Sequence, residues 1–421
     1  MPAGPPDLVN RPSNELAARA CASLRPNADH PFEHLRLLRL RFTIGFNEAP
    51  MLGPFPGPTL RGAFGESLQH LVCVLPARWP PADSSASPWH RGQREPRESP
   101  CRSCWCAPDC AMALVFEASQ TARPAGQDSV SPPFVVCPAR NWRTRSRHDT
   151  TLTFEIVLIG KAIVHAPVVS EAAAVMASRG VGGKRPAKGD AHSKGPQGRL
   201  LAVECLSADG QVRWSHPAEG PHAPARPRVR FTEADVIGGY ELTRPEDCSA
   251  LSISFVTPTL LSLAGGALTE ETTPQLTFGL LFRSLRDRIA KLSMTYHGLP
   301  LPLDPLDWQV RADEVRSTVR PEWVEYGRRS SRSDNASPKQ RGGATRSDGS
   351  STVVRPSGAT LKGLVGTMYC QGSLGWALPM LRLGALMHVG GKTAFGCGRF
   401  EVTPLTTDAN RPSGPPRGGS R

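Results

Sequence analysis

Nowhere in this 421-residue chain do about 20 apolar residues run together, so no segment is expected to cross a bilayer as a helix. The N-terminal MPAGPPDLVNRPSNELAARA has no apolar core, which argues against a secretory leader and for a soluble, cytoplasmic protein with no membrane partner. Acidic charge is also short: 37 Asp and Glu face 50 Lys and Arg, a formal net charge of +13. That surplus suits a polyanionic partner, or reflects an Arg-rich genome composition. The 11 cysteines are odd in number, which disfavours a secreted disulfide framework. A GxGxxG turn leading from a strand into a helix is missing too. The one conspicuous glycine cluster, Gly390 to Gly398, follows a helical pattern and opens a strand, so a dinucleotide site is disfavoured.

What is present is enough chain for two domains. Residues 1–33 are polar and Pro-rich and are expected to be disordered. In HLRLLRLRFTIGF, Leu35, Leu37, Arg39, Arg41 and Thr43 alternate with Arg36, Leu38, Leu40, Phe42 and Ile44, as on the two faces of a strand. After the break at Gly53–Pro58, Thr59 is placed to cap the helix LRGAFGESLQHLVCVL. Its buried stripe is Phe64, Leu68, Leu71 and Leu75, with Glu66 and His70 opposite. Strands FVVCPAR and TLTFEIVLIG, the helix VVSEAAAVMASRG and the strand RLLAVECL complete a βαββαβ order. That order returns as ALSISFVTP, the long helix PQLTFGLLFRSLRDRIAKLSMTYHG, one bent or two short strands in ATLKGLVGTMYCQG, a helix interrupted at Pro379, and a last strand in KTAFGCGRFEV. The expected fold is therefore α+β, two tandem ferredoxin-like domains. The N-terminal domain spans 34–216 with a Cys-rich insertion at 76–133, 217–249 is a linker, and the second domain spans 250–403. A Ser/Arg/Gly-rich insertion at 327–357 and the tail 404–421 lack apolar periodicity and are expected to be disordered.

Two clusters carry chemistry. Gly390, Gly391, Gly396 and Gly398 permit a turn whose backbone N–H groups approach a phosphate, with Lys392 and Arg399 adding charge; a tight packing turn accounts for the same spacing. Cys101, Cys104, Cys106 and Cys110 form C-x2-C-x1-C-x3-C, with Cys73 at the end of the preceding helix, a thiol density suited to zinc.

Read in order, PGPTLRGAFGESLQHLVC, CRSCWCAPDCAMALVFE, LTFEIVLIG, LSISFVTPTLL, GLVGTMYCQGSLGWALPMLRLG and HVGGKTAFGCGRFEV resemble the CRISPR-associated RAMP endoribonucleases that process precursor CRISPR RNA. The likeness is to their cysteine-containing branch and spans residues 35–403. It implies a basic cleft between two ferredoxin-like domains and metal-independent cleavage of repeat RNA by the 2′-hydroxyl beside the scissile phosphate. It implies RNA contacts at Gly390, Gly391, Lys392, Gly396, Gly398 and Arg399 of the Gly-rich loop, while Arg61, beside the helix N-terminus and Gly62, suits a phosphate contact or a structural ion pair equally well. The family's catalytic histidine, often on or near the first helix, points to His70, with His388 beside the Gly-rich loop as rival and His34 behind both. Cys101, Cys104 and Cys110 match the family's cysteines; Cys73 is the favoured fourth ligand of a closed, structural zinc site and Cys106 is extra, so the ligand set stays open. Other CRISPR effector subunits are further partners. Two rival readings remain open: a non-catalytic RNA-binding subunit of a CRISPR effector complex, and a zinc-ribbon nucleic-acid-binding protein unrelated to CRISPR.

Overall fold

The computed structural model describes residues 31–73, 101, 104–118, 130–182, 195–217, 229–242, 247–263, 266–327 and 360–405. Most of the N-terminal segment, much of the Cys-rich insertion, nearly all of the insertion at 327–357 and most of the tail lie outside the described residues.

The N-terminal domain is built on β1 (Arg36–Phe46), α1 (Gly57–Val72), β2 (Phe134–Pro138), β3 (Thr151–Ile159), α2 (Ala166–Arg179), β4 (Gly198–Leu206) and β5 (Val212–Pro217). Its strand order is β2-β3-β1-β4-β5, in which the first four make the antiparallel ferredoxin-like sheet. The alternation in β1 divides two environments. Leu38, Leu40, Phe42 and Ile44 are fully buried with Leu60, Phe64 and Leu68 of α1 and Val169, Ala173 and Met176 of α2. On the other face Leu37 joins a core shared with the second domain, while Arg39 and Arg41 pair with Glu155 at 2.9 and 3.2 Å. α1 begins at Gly57 with Pro56 as N-cap and no side-chain cap, so Thr59 lies inside the helix and does not cap it. The segment expected as a linker also contributes: β6 (Ile237–Gly238) pairs with the start of β1, Leu37 opposite Ile237.

The C-terminal domain comprises β7 (Ala250–Thr259), the small ribbon β8 (Ser262–Leu263) and β9 (Gly266–Ala267), α3 (Phe278–Tyr296), α4 (Pro305–Asp313), β10 (Arg316–Gly327), β11 (Thr360–Gln371), α5 (Leu378–Met387) and β12 (Phe400–Pro404). Its sheet order, β10-β11-β7-β12, repeats the first domain's 2-3-1-4 pattern. Thr277 caps α3 by accepting from Leu280 N–H at 3.2 Å. Pro379 sits in the first turn of α5 and so opens that helix, where an interruption was expected. β11 is one strand of 12 residues. Its partner β10 precedes the Ser/Arg/Gly-rich insertion, which is thus the connection of a hairpin within the sheet.

A single apolar core crosses the boundary between the domains. Leu35, Leu37, Val135, Val157 and Ile159 pack with Leu285, Ile289, Leu292 and Phe400. At the C-terminal end of α3, His297 Nε2 accepts from Arg36 N–H at 3.0 Å and Tyr296 donates to Ser131 O at 2.8 Å. The two domains are therefore fixed against each other by apolar burial and by these hydrogen bonds.

Candidate nucleic-acid interface

The Gly-rich loop runs from the end of α5 to the start of β12 and lies on the N-terminal domain. Val389 N–H donates to Gly398 O, Gly398 N–H to Pro258 O and Gly391 N–H to Leu260 O, stitching the loop to the end of β7. Gly396 has φ of 82°, and a Cβ there would lie 2.8 Å from Val136 O and Pro138 Cδ. A side chain at Gly396 would therefore separate the loop from β2. Arg399 completes this joint, donating from Nη1 to Pro138 O at 2.9 Å and from its backbone N–H to Thr257 Oγ1.

Between Val389 and Arg399 only Gly391 and Lys392 are exposed. Lys392 is held at φ 57° and ψ 32°, left-handed backbone that a lysine rarely adopts, and it begins a 3-10 turn over Thr393–Phe395. Its position presents a cation outward from a buried base. Arg61 lies between two rings, its Cζ 4.3 Å from the Phe116 centroid and 4.4 Å from that of Phe395 in the same loop. Gly57 lets the start of α1 approach Phe395 O, where a Cβ would be only 1.9 Å away. The structure thus brings together Arg61 and the Gly-rich loop, which the sequence separates by more than 300 residues.

It does not bring the histidines there. His388 is fully buried at φ 61° and ψ 167°. Its Nδ1 donates to Cys397 O at 3.0 Å, so Nε2, 3.3 Å from Cys137 Sγ, is the acceptor of the thiol proton. Burial, then the Arg399 charge, holds its pKa well below the usual value, while burial pushes the Cys137 thiol up to about 12. A neutral, doubly bonded imidazole beneath the loop has no path to RNA, so His388 is a core residue and not a catalytic one. His34 is buried as well, its Nε2 2.6 Å from Ser293 Oγ. His70 is exposed. It lies nine residues beyond Arg61, about two and a half turns, and so projects from the opposite side of α1, roughly 13 Å farther along its axis.

Sequence reasoning passed over the segment that flanks this site, Ala139–Thr150. It leaves β2 beside Gly396 and carries Arg140, Arg143, Arg145, Arg147 and His148. Its signal was an Arg-rich run without apolar periodicity, directly after a strand. Among the described residues, His70 and His148 are the fully exposed histidines.

Residues 253–400 match the family model of the CRISPR-associated endoribonuclease Cas6. The C-terminal domain is thus similar to the Cas6 endoribonucleases. This bears out the resemblance to the RAMP endoribonucleases. Residues 35–194 match the N-terminal domain model AF_1859_N. Among solved structures, the chain is similar to Thermus thermophilus Cas6 at 14% identity and a TM-score of 0.43, covering 88% of this chain and 99% of that one. It is similar to a Cas6 product complex at 15% identity and a TM-score of 0.42, with coverages of 87% and 100%. It is also similar to a Cas6-RT-Cas1–Cas2 complex at 11% and 0.43, covering 89% of this chain and 29% of that one. No curated protein matches the chain.

The cysteine segment packs beside α1, with Cys101 and Cys110 against the N-terminal core. Cys73, Cys104, Cys106 and Cys110 are free thiols. The Cys106 thiol is raised by desolvation first, then by the thiols of Cys104, Cys110 and Cys73 around it. Cys106, taken from sequence as extra, is therefore the thiol with Cys73, Cys104 and Cys110 as neighbours. The donor chemistry suits zinc, yet among the described residues no three Cys, His, Asp or Glu side chains converge as a metal-binding group.

Proposed function

We propose that the protein is an endoribonuclease that cuts precursor CRISPR RNA within its repeats and binds the repeat RNA at the Gly-rich loop. The observation that carries this reading is the Cas6 match over residues 253–400 together with an exposed, left-handed Lys392 in the loop whose Phe395 stacks on Arg61. In this reading the 2′-hydroxyl attacks the adjacent phosphate, leaving a 2′,3′-cyclic phosphate and a 5′-hydroxyl. The step needs a proton acceptor and donor and cations around the phosphorane, and no metal ion is required to make the nucleophile. Lys392 and Arg61 supply positive charge, and His70 the proton transfer, with His148 the alternative that the structure adds. The protein would act in the cytoplasm, where other CRISPR effector subunits are further partners, and a zinc ion held by the cysteine segment would be structural.

One observation favours a second reading, an RNA-binding Cas6-type subunit without cleavage: among the described residues, His34 and His388 are buried and exposed His70 projects from the side of α1 opposite Arg61. A labelled repeat RNA incubated with the protein in EDTA separates the two. The nuclease reading expects one discrete cut that is abolished by a 2′-deoxy substitution at the cut site; tight binding with no cut would establish the second. His70→Ala should lower the single-turnover rate at saturating protein by roughly 10²- to 10⁴-fold with RNA affinity retained. If His148→Ala produces that effect and His70→Ala does not, the assignment moves to His148.

A further inference from the structure

The loop Ala139–Thr150 has a construction that its surface position alone does not require. Nine of its 12 residues are exposed, yet Trp142 within it is buried to 7% exposure. Its indole meets Phe55 edge-on at 5.1 Å and Tyr326, from the end of β10, at 5.9 Å. The indole Nε1–H has no acceptor among the described residues. Arg140 reaches across to Glu401 of β12 at 2.9 Å, and the Arg143 side chain bonds Tyr326. Arg145 donates to Asp149 O at 2.6 Å, and the Asp149 carboxylate accepts from Ser146 N–H at 3.0 Å, so the loop's one acid is spent on its own turn. The root of the loop, Pro138, is the residue on which Gly396 and Arg399 sit.

The loop is therefore braced on both domains beside the Gly-rich loop, and it points exposed Arg143, Arg147 and His148 outward. Its Trp142 also packs against the strand end from which the 328–359 connection departs, a stretch with seven Arg or Lys and two Asp. Uncompensated guanidinium groups on a rigid base match a phosphodiester backbone, whose oxygens accept from Arg without regard to base.

We propose that Arg143 and Arg147 form a second RNA-backbone contact, extending the grip of the Gly-rich loop to the nucleotides that flank those at Lys392. This rests on the RNA-binding reading above. The test is fluorescence anisotropy of a repeat RNA blocked by 2′-deoxy substitution, titrated from low to moderate salt. Parent, Lys392→Ala, Arg147→Ala, Arg143→Ala/Arg147→Ala and the corresponding double Lys variant are compared. The double Ala variant should bind about 10-fold more weakly and lose roughly 1.4 from the slope of log K against log salt, two phosphates at about 0.7 each. Arg147→Ala, an exposed change that touches no brace, should lose about half of that slope, and the Lys variant should restore most of it. If Lys392→Ala weakens binding while both Arg147→Ala and the double variant leave affinity and slope as in the parent, the second contact is overturned and the loop is left for an acidic protein surface. If the parent binds no RNA, the functional reading falls and this contact with it.

Discussion

Gly391 and Gly396 stand five residues apart in the same loop, and chemistry at each is opposite. At Gly396 a Cβ meets backbone and proline at 2.8 Å and φ is 82°; at Gly391 the nearest atom is 3.8 Å away and the site is exposed. Left-handed backbone costs a non-glycine residue about 1–2 kcal/mol before any clash is counted. Gly396→Ala should therefore destabilise the fold by about 2 kcal/mol or more, and Gly391→Ala by less than about 0.5, measured by urea unfolding. Equal losses would show that Gly396 is not seated on β2. From sequence the four glycines read alike, and a packing turn competed evenly with a phosphate turn. The packing turn is seen at Gly396 and Gly398, which form the joint, while Gly391 and Lys392 are the exposed tip. His388 was misread for the same reason. Its partner Cys137 lies 251 residues away, and nothing near His388 in the chain announces that it will be buried.

At the scale of elements, the strands that alternate cleanly were legible. β1, β3, β4 and β7 lie where the apolar pattern put them, because each buries one face against helices. β10 was not legible. Its sequence RSTVRPEWVEYG carries four charges and Pro321, and an edge strand tolerates both because one side makes no ladder. Without β10 the insertion could not be read as a hairpin connection. The cysteine segment was legible as thiol chemistry, but its ligand set was not, since spacing cannot say which thiols face Cys106. If Cys73, Cys104, Cys106 and Cys110 hold zinc, the protein purified under reduction should contain about one equivalent. Cys106→Ser should then lose metal and several degrees of Tm. Cys101→Ser should keep the metal. Metal-free reduced protein would remove the site, and retention of zinc by Cys106→Ser would return Cys101 to the ligand set.

Across the whole molecule the two domains meet through buried histidines. His34 and His297 face each other edge to face at 6.1 Å, with Arg36 adjacent to both; His388 lies under the loop among Arg399, Arg288 and Arg39. Burial lowers all three, His297 to about 4, and the neighbouring cations add to the shift for each. A lowered histidine stays neutral when folded but takes up a proton when unfolded, below about 6.5. The unfolded state then binds more protons, so stability falls as pH drops from about 6.5 toward 4 and is unaffected above about 7.5. Each group contributes a slope of up to about 1.4 kcal/mol per pH unit in that window. Urea unfolding between pH 8 and pH 5 should show this loss. His297→Gln should keep an acceptor for Arg36 N–H while removing one titrating group, so its stability should fall less steeply by about one proton. His165, about 4 by burial in the N-terminal domain, adds to the slope in both proteins and cancels in the comparison. Parallel pH profiles for parent and His297→Gln would show that His297 titrates normally in the folded protein and that the interdomain seam admits water at this point.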